Sequence, residues 1–258
     1  MDVAAFAEDA RALYAIGPDE ERVATDRFVV TFSPGDHFWS TAVARVRFEE
    51  GAVQDGLDEV RQLMAARGRR AAAWTIGPSA TPGDIVSQLV RLGLESESET
   101  GSAILVLTDE PAPPPASFAV RPVSTFDEHL AAIEVAIEGF GFSDEDAADE
   151  RRRAQQTFDA ERRGGHVIRL LAFDGERPVA TGEGRVSPVG IYLGGGATIP
   201  SHRRRGAMNA LVGAGWREAV TRGTPTLVTY GGEMSTSPLE HLGFRAVGHV
   251  RHLIDRLD

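Results

Sequence analysis

The sequence predicts an α/β protein of the mixed (α+β) kind, built as two domains that each carry a central mixed β-sheet flanked by helices. Three observations predict this. From residue 118 onward, strand-like and helix-like segments follow in the order β-α-α-β-β-β-α-β-α-β. Part of that order recurs in the first hundred residues. Between the two lies Glu110-Pro111-Ala112-Pro113-Pro114-Pro115, which continues neither a helix nor a central strand, because proline lacks the N–H and holds its predecessor extended. The expected division is a first domain at 1–110, a Pro-rich linker at 111–117 and a second domain at 118–258. A chain of 258 residues is long enough for two domains.

In the second domain, 118–122 reads as a short strand. Segments 125–138 and 144–163 read as helices, the latter with acids early and arginines late, as the helix dipole favours. Strands follow at 166–173 and 178–186, joined by the hairpin turn Asp174-Gly175-Glu176-Arg177. A further strand runs over 190–199. Leu211, Val212, Trp216, Ala219 and Val220 share a face of an amphipathic helix at 207–222, which Gly223 and Pro225 stop. The remainder reads as a buried strand at 226–230, a short helix at 237–242 and a closing strand at 244–254. The helical crossover places 226–230 parallel to 190–199.

The first domain reads as helix 54–67, strand 71–76, helix 84–92 and strand 103–107. Ala65-Ala66-Arg67-Gly68 matches Val220-Thr221-Arg222-Gly223, and Leu89-Val90-Arg91-Leu92-Gly93-Leu94 matches Leu239-Glu240-His241-Leu242-Gly243-Phe244, so the chain is read as a duplication.

Composition narrows the function classes. There is no cysteine, which excludes disulfides, thiolate nucleophiles and cysteine metal sites and is compatible with a reducing cytoplasm. The start of the chain carries acids among alanines and lacks a signal-peptide pattern, and no apolar run approaches membrane-spanning length; a cytoplasmic protein without membrane contact is expected. All 27 basic residues are arginine, a bias best read as GC-rich coding. The net charge of −11 is uneven: residues 1–117 hold 10 Arg against 19 acids, residues 118–258 hold 17 against 19. A broad basic face for nucleic acid is therefore not expected.

The richest stretch is Pro200 to Leu211, P-S-H-R-R-R-G-A-M-N-A-L, between a strand and a helix. A glycine turn at a helix start leaves backbone N–H groups facing outward, and Arg203, Arg204 and Arg205 add forked cationic donors. This is a phosphate-binding device. The corresponding turn of the first domain, Phe48-Glu49-Glu50-Gly51-Ala52, puts carboxylates where the second has guanidiniums, so phosphate binding is expected once per chain. His202 has no second histidine at ligand spacing, so no metal is expected there and a solvated or phosphate-adjacent side chain is read instead.

Arg203-Arg204-Arg205-Gly206-Ala207-Met208 resembles the R/Q-x-x-G-x-G/A turn of the GNAT superfamily of acyl-CoA-dependent N-acetyltransferases, and Leu239 to Phe244 is similar to its late L-G-F signature. The resemblance covers about 140 residues. With the degenerate first half it extends to tandem-GNAT proteins, that is, two GNAT-like domains. It implies an acetyl-CoA-dependent transfer to an amine by direct attack. Backbone N–H groups of Arg204, Arg205, Gly206, Ala207, Met208 and Asn209 would hold the pyrophosphate, with Arg203 also among the cofactor-binding residues, and Ala197, Thr198 and Ile199 would run beside the pantetheine arm. A bulge at Gly194-Gly195-Gly196 would admit the ligand. Met208 departs from the family's second Gly or Ala, and its side chain must point inward. Gly232 stands where many members have asparagine. Leu239 stands where many have the tyrosine that protonates the departing thiolate, and Tyr230, Ser235 or Ser237 are the substitutes in reach, although serines before a helix more often cap it.

For the general base, Glu183 comes first, on a strand face with Thr181 and Arg185; the other reading is a Glu183–Arg185 ion pair or a solvated face. Glu233 comes second, or is an exposed loop acid, and Tyr192 third, or simply packs. Phe140 and Phe142 either line the acceptor pocket or are core aromatics. The acceptor is a small-molecule amine or a peptide, and a homodimer is allowed for. A non-catalytic acyl-CoA-binding sensor is the alternative function.

Overall fold

The computed structural model describes residues 2–113 and 117–257, so Pro114 and Pro115 of the proline run lie outside the described residues. The first half contains α1 (Val3–Glu8), α2 (Ala10–Leu13), β1 (Glu21–Ala24), β2 (Val29–Phe32), β3 (Thr41–Ala44), α3 (Val53–Ala65), β4 (Ala71–Ile76), α4 (Ile85–Arg91), β5 (Glu95–Ser96) and β6 (Ser102–Leu107). The second contains β7 (Ala119–Pro122), α5 (Phe126–Phe140), α6 (Asp144–Gly164), β8 (Val167–Asp174), β9 (Arg177–Ser187), β10 (Gly190–Thr198), α7 (Ala207–Thr221), β11 (Leu227–Gly231), α8 (Glu233–His241) and β12 (Arg245–Arg256).

The helix ends follow local chemistry. Thr125 and Glu128 form a reciprocal capping box at the start of α5, and Gly141 ends that helix in the left-handed region. Ser143 caps α6, which carries Asp144, Glu145 and Asp146 in its first turn and Arg162 and Arg163 in its last. Most expected boundaries shift by one or two residues, but one moves by four: α8 begins at Glu233 rather than 237, with Gly232 at its N-cap. Ser235 and Ser237 therefore sit inside the helix, and neither caps it.

The strands form one sheet in the order β1-β2-β3-β4-β12-β6-β11-β10-β9-β8-β7. The two halves exchange strands at its centre. β6, from the first half, lies between β11 and β12, pairing antiparallel with both. β12 pairs through Arg245–Val250 with β6, and through Arg251–Arg256 with β4 of the first half. Core packing fixes the exchange. Leu253 of β12 is sealed in the first-half core with Trp74 and Leu57, while Leu105 and Leu107 of β6 pack with Ile191, Trp216 and Leu227 in the second-half core. Burying such side chains contributes roughly 1.5–3 kcal/mol each, so neither half completes its core from its own residues alone.

Alternation assigns the two faces of the sheet. Leu105 and Leu107 face α7 and α8, whereas Ile104 and Val106 face α1 and α2, where Phe6, Ala10 and Tyr14 cover them together with Tyr192 and Val228. α5 packs on that second face too, through Ala132 against Leu171 and Phe173. No helix among the described residues is long and apolar enough to cross a membrane.

Candidate active site

β10 and β11 run parallel, as their helical crossover predicts, but only through three residue pairs: Ile191 with Leu227, Tyr192 with Val228 and Leu193 with Thr229. The Thr229 hydroxyl donates to the Leu193 carbonyl at 2.9 Å and closes the ladder. Beyond it the strands part. β10 continues against β9 alone, with Gly194 opposite Glu183 and Ala197 opposite Thr181, so Gly195 and Gly196 form the expected bulge and are exposed. The far edge of Ala197 and Thr198 is paired with no strand among the described residues.

After β10 a 3-10 turn, Pro200–His202, leads to α7. Arg204 has φ 60° and Gly206 φ 93°, and the reversal they make is one that glycine adopts without strain. The first intrahelical bond runs from the Ala210 N–H to the Gly206 carbonyl, and no side chain caps the helix, so the N–H groups of Ala207, Met208 and Asn209 open outward at the positive end of a 15-residue helix. The three arginines do different things. Arg203 donates to the carbonyls of Gly139 (2.7 Å) and Thr198 (3.3 Å), tying the end of α5 to β10. Arg205 pairs with Asp174 at 3.0 Å. Arg204 is exposed and meets no partner among the described residues. The Met208 side chain turns inward onto the core beside Leu211, its methyl 3.1 Å from where a Gly196 Cβ would stand. His202 corrects the solvated reading: it is buried, with Nε2 3.3 Å from Asp174 and Nδ1 2.9 Å from the Ser201 hydroxyl.

Glu183 lies beside the bulge, its Oε1 3.9 Å from the position of a Gly194 Cβ. It accepts from Arg169 at 3.0 Å and lies 3.7 Å from Arg185, so the ion-pair geometry is present and Arg169 is its nearer partner. Burial acts to raise its pKa, but Arg169, Arg185 and Arg11 outweigh burial and hold the carboxyl below the usual range. Tyr230 is tied elsewhere: its hydroxyl donates to the Glu8 carbonyl at 2.8 Å and accepts from the Ala10 N–H at 3.2 Å, and burial pushes the phenol well above its ordinary pKa. Tyr192 is buried, edge-on to Tyr230 at 5.2 Å. Glu233 is exposed in the first turn of α8, and Leu239 is buried in the core with Phe244. Phe140 and Phe142 are not core residues; they are 51% and 38% exposed and stack at 5.7 Å. No cluster of three or more His, Cys, Asp or Glu side chains among the described residues is placed to hold a metal ion.

No family model and no curated protein matches the sequence. Solved structures do match. A GCN5-related N-acetyltransferase from Kribbella flavida superposes with a TM-score of 0.68 at 20% identity, covering 92% of this chain and 90% of that one. The chain has a GNAT fold. A tandem GNAT protein from the clavulanic acid biosynthesis pathway is similar over 94% of this chain and 85% of its own, with a TM-score of 0.58 at 14% identity. A GCN5-related N-acetyltransferase from Sphaerobacter thermophilus gives 0.54 at 15% identity, over 90% and 81%. At these identities the likeness is one of fold, and it extends over both halves.

The first GNAT-like half keeps the turn and closes the gap. β3 runs parallel to β4 at Ala42–Ala73 and Val43–Trp74, and Gly51 (φ 81°) precedes α3 much as Gly206 precedes α7. There, however, Thr81 fills the parting: its N–H donates to the Val46 carbonyl, its carbonyl accepts from Phe48, and its hydroxyl donates to the Phe48 carbonyl. The strand edge that stays open in the second half is thus consumed in the first, and Glu49 and Glu50 stand exposed at the turn.

Sequence reading missed the residues that the first half brings to the second-half site. Glu20 joins His166 at 2.9 Å and Arg185 at 3.0 Å, which strengthens the wall behind Glu183. Arg11 lies over the ring of Trp39 at 4.2 Å and that of Tyr192 at 5.6 Å. No local signal marks them, because their second-half partners, Tyr192 for Arg11 and His166 and Arg185 for Glu20, are more than a hundred residues away in the chain.

Proposed function

We propose that the chain is an acyl-CoA-dependent N-acyltransferase that moves an acetyl group from acetyl-CoA to a primary amine by direct attack in the second half. The parting of β10 from β11 next to the uncapped start of α7 carries this reading. It leaves a strand edge that no other strand pairs, leading to a cluster of outward N–H groups, which suits an extended, amide-bearing arm ending in a pyrophosphate. The N–H groups from Arg204 to Asn209 would hold the phosphates, with Arg204 as the free guanidinium. The edge of Ala197, Thr198 and Ile199 would bind the arm. Acetyl-CoA supplies the activated acyl group and a thiolate of tolerable leaving ability, its thiol pKa being roughly 8.5.

Glu183, ionised across the neutral range, holds the incoming ammonium beside the bulge. Its lowered pKa makes it a weak final acceptor, so the proton passes through it to solvent. Tyr230 anchors the N-terminal segment, with its hydroxyl occupied. The acceptor-side wall is formed by Tyr192 and, at the mouth, by the Phe140–Phe142 pair. One domain at 1–110 acts as a closed partner to the CoA-binding domain at 118–258.

Titration calorimetry with acetyl-CoA tests the site: wild type binds, and Gly206→Glu, which places a carboxylate among the N–H groups, does not. Unchanged affinity in that variant overturns the reading. Turnover is read by thiol trapping of released CoA, cleanly, because the chain has no cysteine. A second reading, a sensor that binds acyl-CoA without turnover, is favoured by Leu239 in the core and by the occupied Tyr230 hydroxyl. Binding with no CoA release across a broad amine panel selects it.

A further inference from the structure

Arg11 is a guanidinium without a counter-ion. Its Nε is sealed from solvent and has no hydrogen-bond partner, and none of the ion pairs formed among the described residues includes it. Glu183 and Glu97 feel its charge from farther away. Removing a cation from water without pairing it is costly, and stacking on Trp39 and Tyr192 offsets only part of that cost. The residue is nonetheless held in place. Tyr230 bonds both the carbonyl of Glu8 and the N–H of Ala10, and Tyr14, at the end of the same segment, is flanked by Arg185 and Arg22 at 4.9 and 5.5 Å from its ring.

The place where it is held matters. The Tyr192 ring comes within 3.3 Å of the position of a Gly194 Cβ, and the Glu183 carboxylate approaches the same position to 3.9 Å. A continuous wall therefore runs from Glu183, past the bulge, across Tyr192 to Arg11 and Trp39. One end presents a carboxylate suited to an ammonium group, and the other presents a forked cationic donor suited to a carboxylate. Arg11 and Trp39 are partly exposed, so a solute can reach them.

We propose that the acceptor is an amine whose own molecule carries a carboxylate, an α-amino acid or the end of a short peptide, and that Arg11 binds that carboxylate while the amine lies beside Glu183. This rests on the transferase reading above for its reaction, but its recognition step is independent of turnover. Arg11 is a specificity-determining residue of the second-half site supplied by the first half, which gives the exchange of elements between halves a function.

The test is calorimetric titration of the full chain, saturated with CoA, with L-phenylalanine, L-leucine and glycyl-L-leucine, each beside the amine lacking its carboxylate. At least one carboxylate-bearing member is expected to bind, and more tightly than its counterpart. In Arg11→Met its affinity falls roughly 10- to 100-fold, the loss of a charge-assisted pair, while affinity for the counterpart and for acetyl-CoA is unchanged. Arg11→Lys, keeping charge without the fork, falls between. Free amino acids and the dipeptide are told apart by which arm binds. If no carboxylate-bearing member binds, if the plain amines bind as well, or if Arg11→Met weakens both classes equally, the proposal is overturned. Should Arg11→Met fail to fold by thermal melting, the wild-type preference and Arg11→Lys decide. Failure of the transferase reading would appear separately, as no affinity for acetyl-CoA.

Discussion

Gly139 of α5 and Ala197 of β10 approach so closely that a methyl group on Gly139 would stand 2.9 Å from the Ala197 Cβ and 3.2 Å from the Thr198 nitrogen. The last turn of α5 therefore rests on the strand segment that borders the gap, and Arg203 binds the Gly139 carbonyl from the turn that follows. The end of α5, proposed to lie on the acceptor side, and the proposed CoA-side strand meet at this contact.

Gly139→Ala forces the two elements apart against backbone. Overpacking of this kind costs about 1–3 kcal/mol. The expected outcome is a lower Tm together with a several-fold rise in KM for acetyl-CoA and little change in kcat; thermal melting and steady-state CoA release measure both.

Arg203 and Arg204 separate structure from binding. Arg203→Ala removes two bonds to carbonyls and lowers Tm. Arg204→Ala leaves Tm in place and weakens acetyl-CoA binding by about tenfold, as expected for one charge-assisted phosphate contact. Equal effects of the two variants on Tm and affinity would contradict the assignment.

Tyr230→Phe leaves the Ala10 N–H and the Glu8 carbonyl without their partner. A loss of about 1–2 kcal/mol in stability is expected. The pH profile of kcat should keep its shape, because the phenol hydroxyl is engaged by the Glu8 carbonyl and the Ala10 N–H. A collapse of kcat with unchanged stability would restore Tyr230 as the acid.

Glu183→Gln keeps the shape of the site and removes the charge proposed to hold the ammonium. CoA release should fall by roughly 10²–10⁴-fold with acetyl-CoA affinity unchanged. Undiminished turnover would leave Glu183 only its ion pair with Arg169.

Acid should weaken the fold in two stages. Burial, with Arg11 second, lowers the His252 pKa to about 3, so the unfolded chain takes up a proton near its ordinary pKa of ~6.5 that the folded chain refuses. That contribution is complete above pH ~6.5 and is lost as pH falls toward 3, by up to about 1.4 kcal/mol per unit. Glu20 follows. Burial alone would raise its pKa, but His166 and Arg185 depress it, so its contribution fades as pH falls below ~4.5. Denaturant melts across pH 4–8 should show the first slope flattened in His252→Phe.

Much of this was legible in the sequence. Strand 71–76 has the limits its pattern predicts, and the parallel pairing of β10 with β11 follows from the crossover at 207–221. The bulge at Gly194–Gly196 was legible because glycine answers to local backbone geometry. The first forty-four residues were not. β1, β2 and β3 are four residues each, too short for periodicity to register, and they are held by the sheet rather than by their own preferences. The closing strand was legible as a strand, but its span across both halves was not.

The fold class, the duplication, and a glycine turn opening a helix behind three arginines were readable from the chain alone, because each shows in short contiguous segments, or in the likeness of one such segment to another. Long-range folding set which arginine stays free, that the Tyr230 hydroxyl serves Glu8 from 222 residues away, and that Thr81 closes in the first half the gap left open in the second. Those outcomes turn on which groups meet across the sheet, and a hydrogen bond or ion pair between distant segments leaves no periodic mark in the chain.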